Sequence, residues 1–329
     1  MLKISTAPHL QTRRDTRSLM LDVVIALLPA ALAAILIFGI GALKVMLTSV
    51  AGCVLFEYLA CKYWLKTTNT TRDFSAVITG LLLAFNLPSS MPILMILIGC
   101  FMAVIVAKLC YGGLGKNIFN PALVGRVFLF ISFPVQMTMW PRPQVLNFLN
   151  TDIQTAATPL SILKHIDAQT SATSLGGIID ELPGYWQMFF GNTGGCIGEV
   201  SAFALLLGFA YLLYRRVIKW HIPVYYISTV FLLTAVMWLT TGDVRYDPLT
   251  HILSGGLMLG AVFMATDYTT SPMTKNGQIL FAVGCGVLTV VIRLYSAYPE
   301  GVSFAILIMN AFVPLIDKYS QPRVFGKGH

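Results

Sequence analysis

Charge is what this chain has least of. Of its 329 residues, 22 are Lys or Arg and 14 are Asp or Glu, so only 11% are charged, against roughly 25% in soluble chains. That shortage excludes an ordinary water-soluble domain. The five histidines form no pair with metal-ligand spacing, and the six cysteines form no Cys-x-x-Cys. Both absences argue against a metal or cluster held by this chain alone. No Walker-type phosphate loop and no Gly-x-Ser-x-Gly nucleophile turn is present, so nucleotide hydrolysis and serine-ester chemistry lack their motifs. After the basic stretch 1–17 there is no small-residue cleavage site, and the apolar run that follows is too long for a secretory signal. The first apolar run is therefore expected to stay in the mature chain.

What the chain has in abundance is apolar surface. Hydrophobic residues make up 56%, and the mean hydropathy is +0.75. Several uncharged apolar runs approach or exceed 18 residues, enough to cross a hydrocarbon core about 30 Å thick. A β-barrel would instead show short alternating segments. The reading is an all-α polytopic membrane protein with ten spans, near 19–40, 43–65, 74–87, 91–111, 118–134, 199–217, 223–241, 251–266, 278–296 and 300–316. Cys53, Cys61, Cys100, Cys110 and Cys285 fall inside these spans, where cysteine serves as a small hydrophobe. The chain thus divides into an N-terminal membrane repeat at 1–134, a polar segment at 135–198, and a C-terminal membrane repeat at 199–329.

The halves look duplicated. Ile98-Gly99-Cys100 opens a span ending in Lys108, and Val283-Gly284-Cys285 opens one ending in Arg293; the next span holds Asn120 in one half and Asn310 in the other. Five spans per half is an odd number, so the second copy is expected upside down, as two inverted five-helix repeats. The third span of each half is short and Gly/Pro-interrupted, ending at Asn86-Leu87-Pro88 or carrying Gly255-Gly256 before Asp267. Such matched interruptions point to a binding site near the membrane midplane. Sixteen of the Lys and Arg residues fall in loops on one side, against five on the other. The positive-inside rule then puts both termini in the cytoplasm and segment 135–198 outside. Among the charges within spans, Asp22, Glu57 and Arg126 stand out. Ionisable groups at that depth are costly and often functional. Asp22 is near a membrane edge and open to water on this reading, and Glu57 either serves an ion path or pairs with Arg126 or with another protein of a complex.

Three motifs carry chemistry. The first is Asp152-Ile-Gln-Thr155-Ala156-Ala157-Thr158-Pro159-Leu160. Its form, Asp-x-x-Thr-small-Ala-Thr, resembles the acceptor onto which a flavin transferase esterifies FMN through a threonine hydroxyl. Pro159 biases Thr158 to extended backbone, and Ala156 and Ala157 leave its approach clear. The same form recurs at Asp167 to Thr173, so Thr173 is the competing acceptor, and an ordinary Ala/Thr-rich loop is the bland alternative. The second motif is Gly112-Gly113-Leu114-Gly115-Lys116-Asn117-Ile118-Phe119-Asn120-Pro121-Ala122. Glycines admit close backbone approach, Asn117 and Asn120 are spaced to face one site, and Asn–Pro suits a helix start. The third, Thr266-Asp267-Tyr268-Thr269-Thr270-Ser271-Pro272, offers hydroxyls and one carboxylate for phosphate, flavin, cation or capping contacts.

These blocks, with Ile131 to Thr138, Lys219 to Pro223 and Tyr298 to Val302, occur in one order over nearly the full length. Together the chain resembles the D subunit of the Rnf electron-transport complex and, more distantly, the B subunit of the sodium-translocating NADH:quinone oxidoreductase. The resemblance implies covalent FMN on the threonine before Pro-Leu, hence Thr158 over Thr173, with Asp152 and Thr155 in the motif. The family often has Gly where Ala156 stands. It also suggests a second, non-covalent riboflavin-like flavin near Asn117 and Asn120; Asp267 and Thr270 of the third motif are further candidate cofactor contacts.

The function implied is that of an electron-carrying subunit in the bacterial cytoplasmic (inner) membrane. Electrons would pass between ferredoxin and NAD through flavin and iron–sulfur subunits, coupled to Na⁺ or H⁺ export, with a flavin transferase as maturation partner and no nucleic-acid role. Thr158 is a tether in this reading, not an acid or base, and the lone chain is not expected to turn over. A solute transporter or channel of inverted-repeat fold, and a structural anchor for redox subunits, are the rivals.

Overall fold

The structure is a computed structural model that describes residues 15–66, 73–143, 155–168, 182–199, 201–296 and 300–320. Its architecture is helical throughout; among the described residues the β-structure is a single isolated bridge, Pro141 to Thr155. The first half contains α1 (Thr16–Phe38), α2 (Ile40–Leu65), α3 (Ser75–Phe85), α4 (Ile93–Leu109), α5 (Pro121–Ser132) and α6 (Pro134–Thr138). The middle holds α7 (Pro159–Ala168) and α8 (Tyr185–Phe190). The second half contains α9 (Ala202–Tyr214), α10 (His221–Thr241), α11 (Pro248–Leu253), α12 (257–264), α13 (Lys275–Tyr295) and α14 (Val302–Tyr319).

Among the described residues five helices, α1, α2, α10, α13 and α14, are long and apolar enough to cross a membrane; α3, α4, α5 and α9 are shorter apolar helices. This is a multi-pass membrane protein. The 11 residues of α3 rise only about 16 Å at 1.5 Å each, so the chain at its ends must stay inside protein. The span expected at 251–266 is a broken helix. It stops at Leu253, turns through Gly255 with φ 67°, and resumes at Leu257. That backbone sign favours glycine, which lacks the Cβ that would clash.

Packing follows a repeated scheme. In the first half α2 packs on α3 and α4, and α4 on α5. In the second half α10 packs on α11 and α13, and α13 on α14. The main helix pairs that join the halves are α1 with α9 and α5 with α14.

The α1–α9 seam shows why these residues choose these faces. Ala26, Ala30 and Ala34 recur every fourth residue and are buried, while Leu28, Leu32 and Leu36 recur on the other face and are exposed. Small residues let helix backbones meet where lipid supplies no hydrophobic drive, and leucines suit the lipid side. Gly208 of α9 completes the contact, since a Cβ there would overlap the Ala26 carbonyl oxygen.

Gly208→Val is expected to lower the thermal midpoint of the detergent-purified chain, with a loss of about 1–3 kcal/mol from overpacking. Leu32→Val, on the lipid face, serves as the comparison and is expected to leave the midpoint nearly unchanged.

Candidate functional site

The glycine loop between α4 and α5 is built as its composition suggests. Gly112, Gly113 and Gly115 all have positive φ, at 105°, 89° and 90°. Asn120 caps α5, its Oδ1 accepting from the Ala122 N–H at 3.1 Å, while its Nδ2 donates to the Met264 carbonyl at 3.2 Å. Asn117 is buried and donates to the Phe119 carbonyl at 3.2 Å. Both asparagines line one cavity of about 90 Å³, together with Lys108, Asp267 and Thr269. Asp267 is held within its own turn, accepting from the Thr269 hydroxyl at 3.1 Å and the Thr270 hydroxyl at 3.5 Å. The second and third motifs thus converge on one cavity, its wall otherwise apolar side chains such as Leu82 and Phe263. An apolar wall with a few convergent polar side chains is the usual lining of a small-molecule site, though at about 90 Å³ this cavity is smaller than such sites.

Lys108 is not the loop charge the sequence suggested. It is buried in α4, donating to Glu57 Oε2 and to Ser75 Oγ, both at 2.8 Å. Glu57 therefore pairs with Lys108 rather than with Arg126. Arg293, likewise counted as a loop charge, is buried in α13. These two changes remove one cation from each side, so the charge asymmetry keeps its direction. Asp22 is not open to water either: it is 5% exposed, and it accepts from Tyr211 at 3.1 Å and Arg215 at 3.2 Å.

Arg126 joins a different cluster. Its guanidinium bonds to Glu300 and to Asn86, lies 3.2 Å from Glu199 Oε1, and lies 3.6 Å from Cys196 Sγ. Glu199 Oε1 makes no hydrogen bond despite that short distance. Cys196, Glu199 and Glu300 offer ligand atoms within 4.8 Å of one another. The Arg126 guanidinium stands among them, so the positive charge that such a group needs is already supplied by protein.

The acceptor motif sits against this cluster. Thr155 forms the bridge to Pro141, and the Ala156 N–H donates to the Trp140 carbonyl at 2.9 Å. Thr158 immediately precedes α7; its Oγ accepts from the Ser161 N–H at 3.2 Å, which is an N-cap bond. Its side chain is buried, at 6% exposure, rather than open to approach. A small cavity of about 10 Å³ beside it is lined by Gly194, Gly195, Ser254, Glu199 and Glu300. Gly194 packs closely on the motif: a Cβ there would come within 3.1 Å of Ala156 Cβ, so the two stretches would have to move slightly apart. A phosphoester fits Thr158 on one physical ground: it would stand at the amino end of a 10-residue helix, where the dipole and free N–H groups favour negative charge. Asp152 and Thr173 lie outside the described residues.

In the same segment, burial lowers the pKa of the Lys164 ammonium from its ordinary value. The Tyr185 phenol is raised, first by burial and then by the Asp247 carboxylate. Glu199, Glu300, Cys196 and Lys164 were not singled out from sequence. The available signal was scarcity: with 14 acidic residues in all, one beside a glycine at a span boundary is already unusual.

The Lys108–Glu57 pair is buried, so removing one partner strands the other. Lys108→Met alone is expected to destabilise by about 3–5 kcal/mol, and Lys108→Met with Glu57→Met by less than the sum of the singles. Thermal midpoints of the four proteins in one detergent complete the cycle.

Comparison with known proteins gives the family. Residues 3–326 match the model of the NQR2, RnfD, RnfE family. A relative from Acetobacterium woodii, named as the D subunit of a Na(+)-translocating ferredoxin:NAD(+) oxidoreductase complex, is 43% identical over 99% of this chain and 95% of its own length. One from Clostridium ljungdahlii, named as the D subunit of a proton-translocating ferredoxin:NAD(+) oxidoreductase complex, is 46% identical over 98% of this chain and 96% of its own. An Escherichia coli relative, named as the D subunit of an ion-translocating oxidoreductase complex, is 36% identical over 99% of both. With a family match over nearly all of its length and these identities, the chain belongs to the NQR2, RnfD, RnfE family.

Proposed function

We propose that this chain is the membrane electron-transfer subunit of a complex coupling electron flow between ferredoxin and NAD to ion translocation, and that it carries FMN as a phosphoester on Thr158. The observation that carries the cofactor assignment is the position of the Thr158 hydroxyl, at the amino end of α7 beside a tight cavity. The names of the two relatives above 40% identity support the complex and its reaction. Bound FMN would supply reversible one- and two-electron chemistry.

The protein's own residues hold, orient and shield. Thr158 tethers, and the α7 dipole offsets phosphate charge. Glycines 194 and 195 leave room at the tether. Because the hydroxyl is buried, a flavin transferase would act before Thr158 is enclosed. Asn117, Asn120 and Asp267 line the cavity that would take a second, non-covalent flavin, with Thr270 holding Asp267. The proposed topology is ten spans in two inverted repeats, with termini in the cytoplasm and Thr158 outside; the recurring helix pairings of the two halves support it. The remaining flavin and iron–sulfur subunits of the complex are the proposed partners.

Co-expression with a flavin transferase tests the assignment. The chain is expected to give a band that fluoresces under ultraviolet light on a denaturing gel. Thr158→Val is expected to abolish the band and Thr173→Val to keep it. The reverse pattern moves the site to Thr173, and a dark wild-type band removes the covalent reading.

A further inference from the structure

We propose that the groove between the α9–α10 and α12–α13 loops binds the headgroup of an anionic phospholipid through Arg216 and Lys219. The inference is independent of the flavin assignment and concerns a face of the molecule that the flavin assignment does not use.

Local backbone is the first argument. α9 ends in a Schellman cap: the Val217 N–H donates to the Leu212 carbonyl at 2.9 Å, and the Arg216 N–H to the Leu213 carbonyl at 3.0 Å. Such a cap puts one residue in the left-handed region, where glycine has no Cβ to strain. Here that residue is Arg216, at φ 52°. Its side chain contributes nothing to the cap and instead lines the groove.

Charge is the second. The groove holds about 500 Å³, within the range of small-molecule sites. Arg216 and Lys219 line it with the Ser271 hydroxyl and apolar Val217, Ile222 and Met273. Both cations are exposed, and neither makes an ion pair or a side-chain hydrogen bond with the described residues. No Asp or Glu lines the groove. The neighbouring carboxylates are already engaged: Asp22 by Arg215, Asp267 by the hydroxyls of Thr269 and Thr270, and Asp317 by the Met273 N–H at 3.2 Å. Stretches 1–14 and 321–329, outside the described residues, add Lys3, Arg13, Arg14, Arg323 and Lys327 and no Asp or Glu. Their side chains do not complement a basic groove.

Position is the third. The Tyr268 hydroxyl donates to the Val217 carbonyl and so joins the two loops. The groove lies where α9 ends and α10, long and apolar enough to cross a membrane, begins. Tyr214 and Trp220 bracket the two cations in sequence, and both are exposed, as is Met273. Aromatic side chains gather at the level of lipid headgroups, and basic pockets between membrane helices at that level take anionic headgroups. An acidic protein surface would match the charge, but it would not match this exposed apolar rim at the mouth of a spanning helix.

The test titrates the detergent-purified full-length chain with phosphatidylglycerol, phosphatidylcholine or inorganic phosphate. Thermal midpoints report binding, and native mass spectrometry reports retained lipid. Phosphatidylglycerol is expected to raise the midpoint and to persist on the chain; the other two at equal concentration are not. Arg216→Gly suits the left-handed backbone while removing the cation, so it is expected to keep the lipid-free midpoint. It is expected to weaken phosphatidylglycerol binding about fivefold, as is Lys219→Gln. Lys219→Gln, an exposed change, decides the matter should Arg216→Gly fail to fold. Lys44→Gln, which removes an exposed cation on α2, is expected to bind as wild type. Wild-type binding by the two groove variants overturns the inference, as does an equal loss in Lys44→Gln, which would mean attraction by net charge alone. An equal response to inorganic phosphate replaces the lipid with a free anion. A chain that binds neither lipid overturns the inference and leaves the groove to an acidic protein surface.

Discussion

A charge inside a membrane protein must find its counter-charge within the fold, and here the guanidinium of Arg126 organises the groups around it. It comes from α5 and binds Asn86 at the end of α3, Glu300 before α14, and lies against Cys196 and Glu199 before α9. Four stretches far apart in sequence are therefore held at one point. Breaking such a cluster leaves an uncompensated buried charge, which costs far more than a surface ion pair contributes. The short α3 can end inside the protein because its terminal Asn86 is committed there. The Cys196 thiol adds a bond to the Asn86 carbonyl at 3.4 Å. The floor of the Thr158 cavity is formed by two members of the same cluster.

Around that point the two halves repeat one plan with different chemistry. Each sets a long helix against a shorter or broken third element and against a fourth that carries a buried cation. In the first half the cation is Lys108, answered by Glu57 and Ser75. In the second it is Arg293, answered by backbone carbonyls freed where α11 breaks at Ser254 and Gly255. The broken helix thus serves two ends: it supplies acceptors that an intact helix would keep for itself, and it leaves space. Helix interruptions in membranes persist where protein or a cavity satisfies the freed groups.

The features legible in the sequence were those written locally. Apolar runs located the helices, glycine density located the left-handed loop at 112–115, and Asn120-Pro121 located a capped start. Pro159 biased Thr158 to extended backbone, but neither the helix that starts at Pro159 nor the burial of the hydroxyl was visible from Ala156 and Ala157. Charge pairing was the part misread. Lys108 sits where a loop cation should be by counting residues, and Asp22 where water should reach. Both are buried because partners arrive from distant elements, Glu57 for one and Arg215 with Tyr211 for the other.

By itself the sequence determined the class of the protein, the order of its apolar segments and the glycine loop. These depend on hydropathy and backbone preference over a few residues, which the chain carries wherever it goes. Only the tertiary structure decided which charges meet, which helices stop short, and which side chains border Thr158. Arg126 and Glu300 are 174 residues apart in sequence, and no periodicity links them. Their pairing is set by the low dielectric of the assembled interior, where an unpaired charge is intolerable and the nearest opposite charge is chosen by packing.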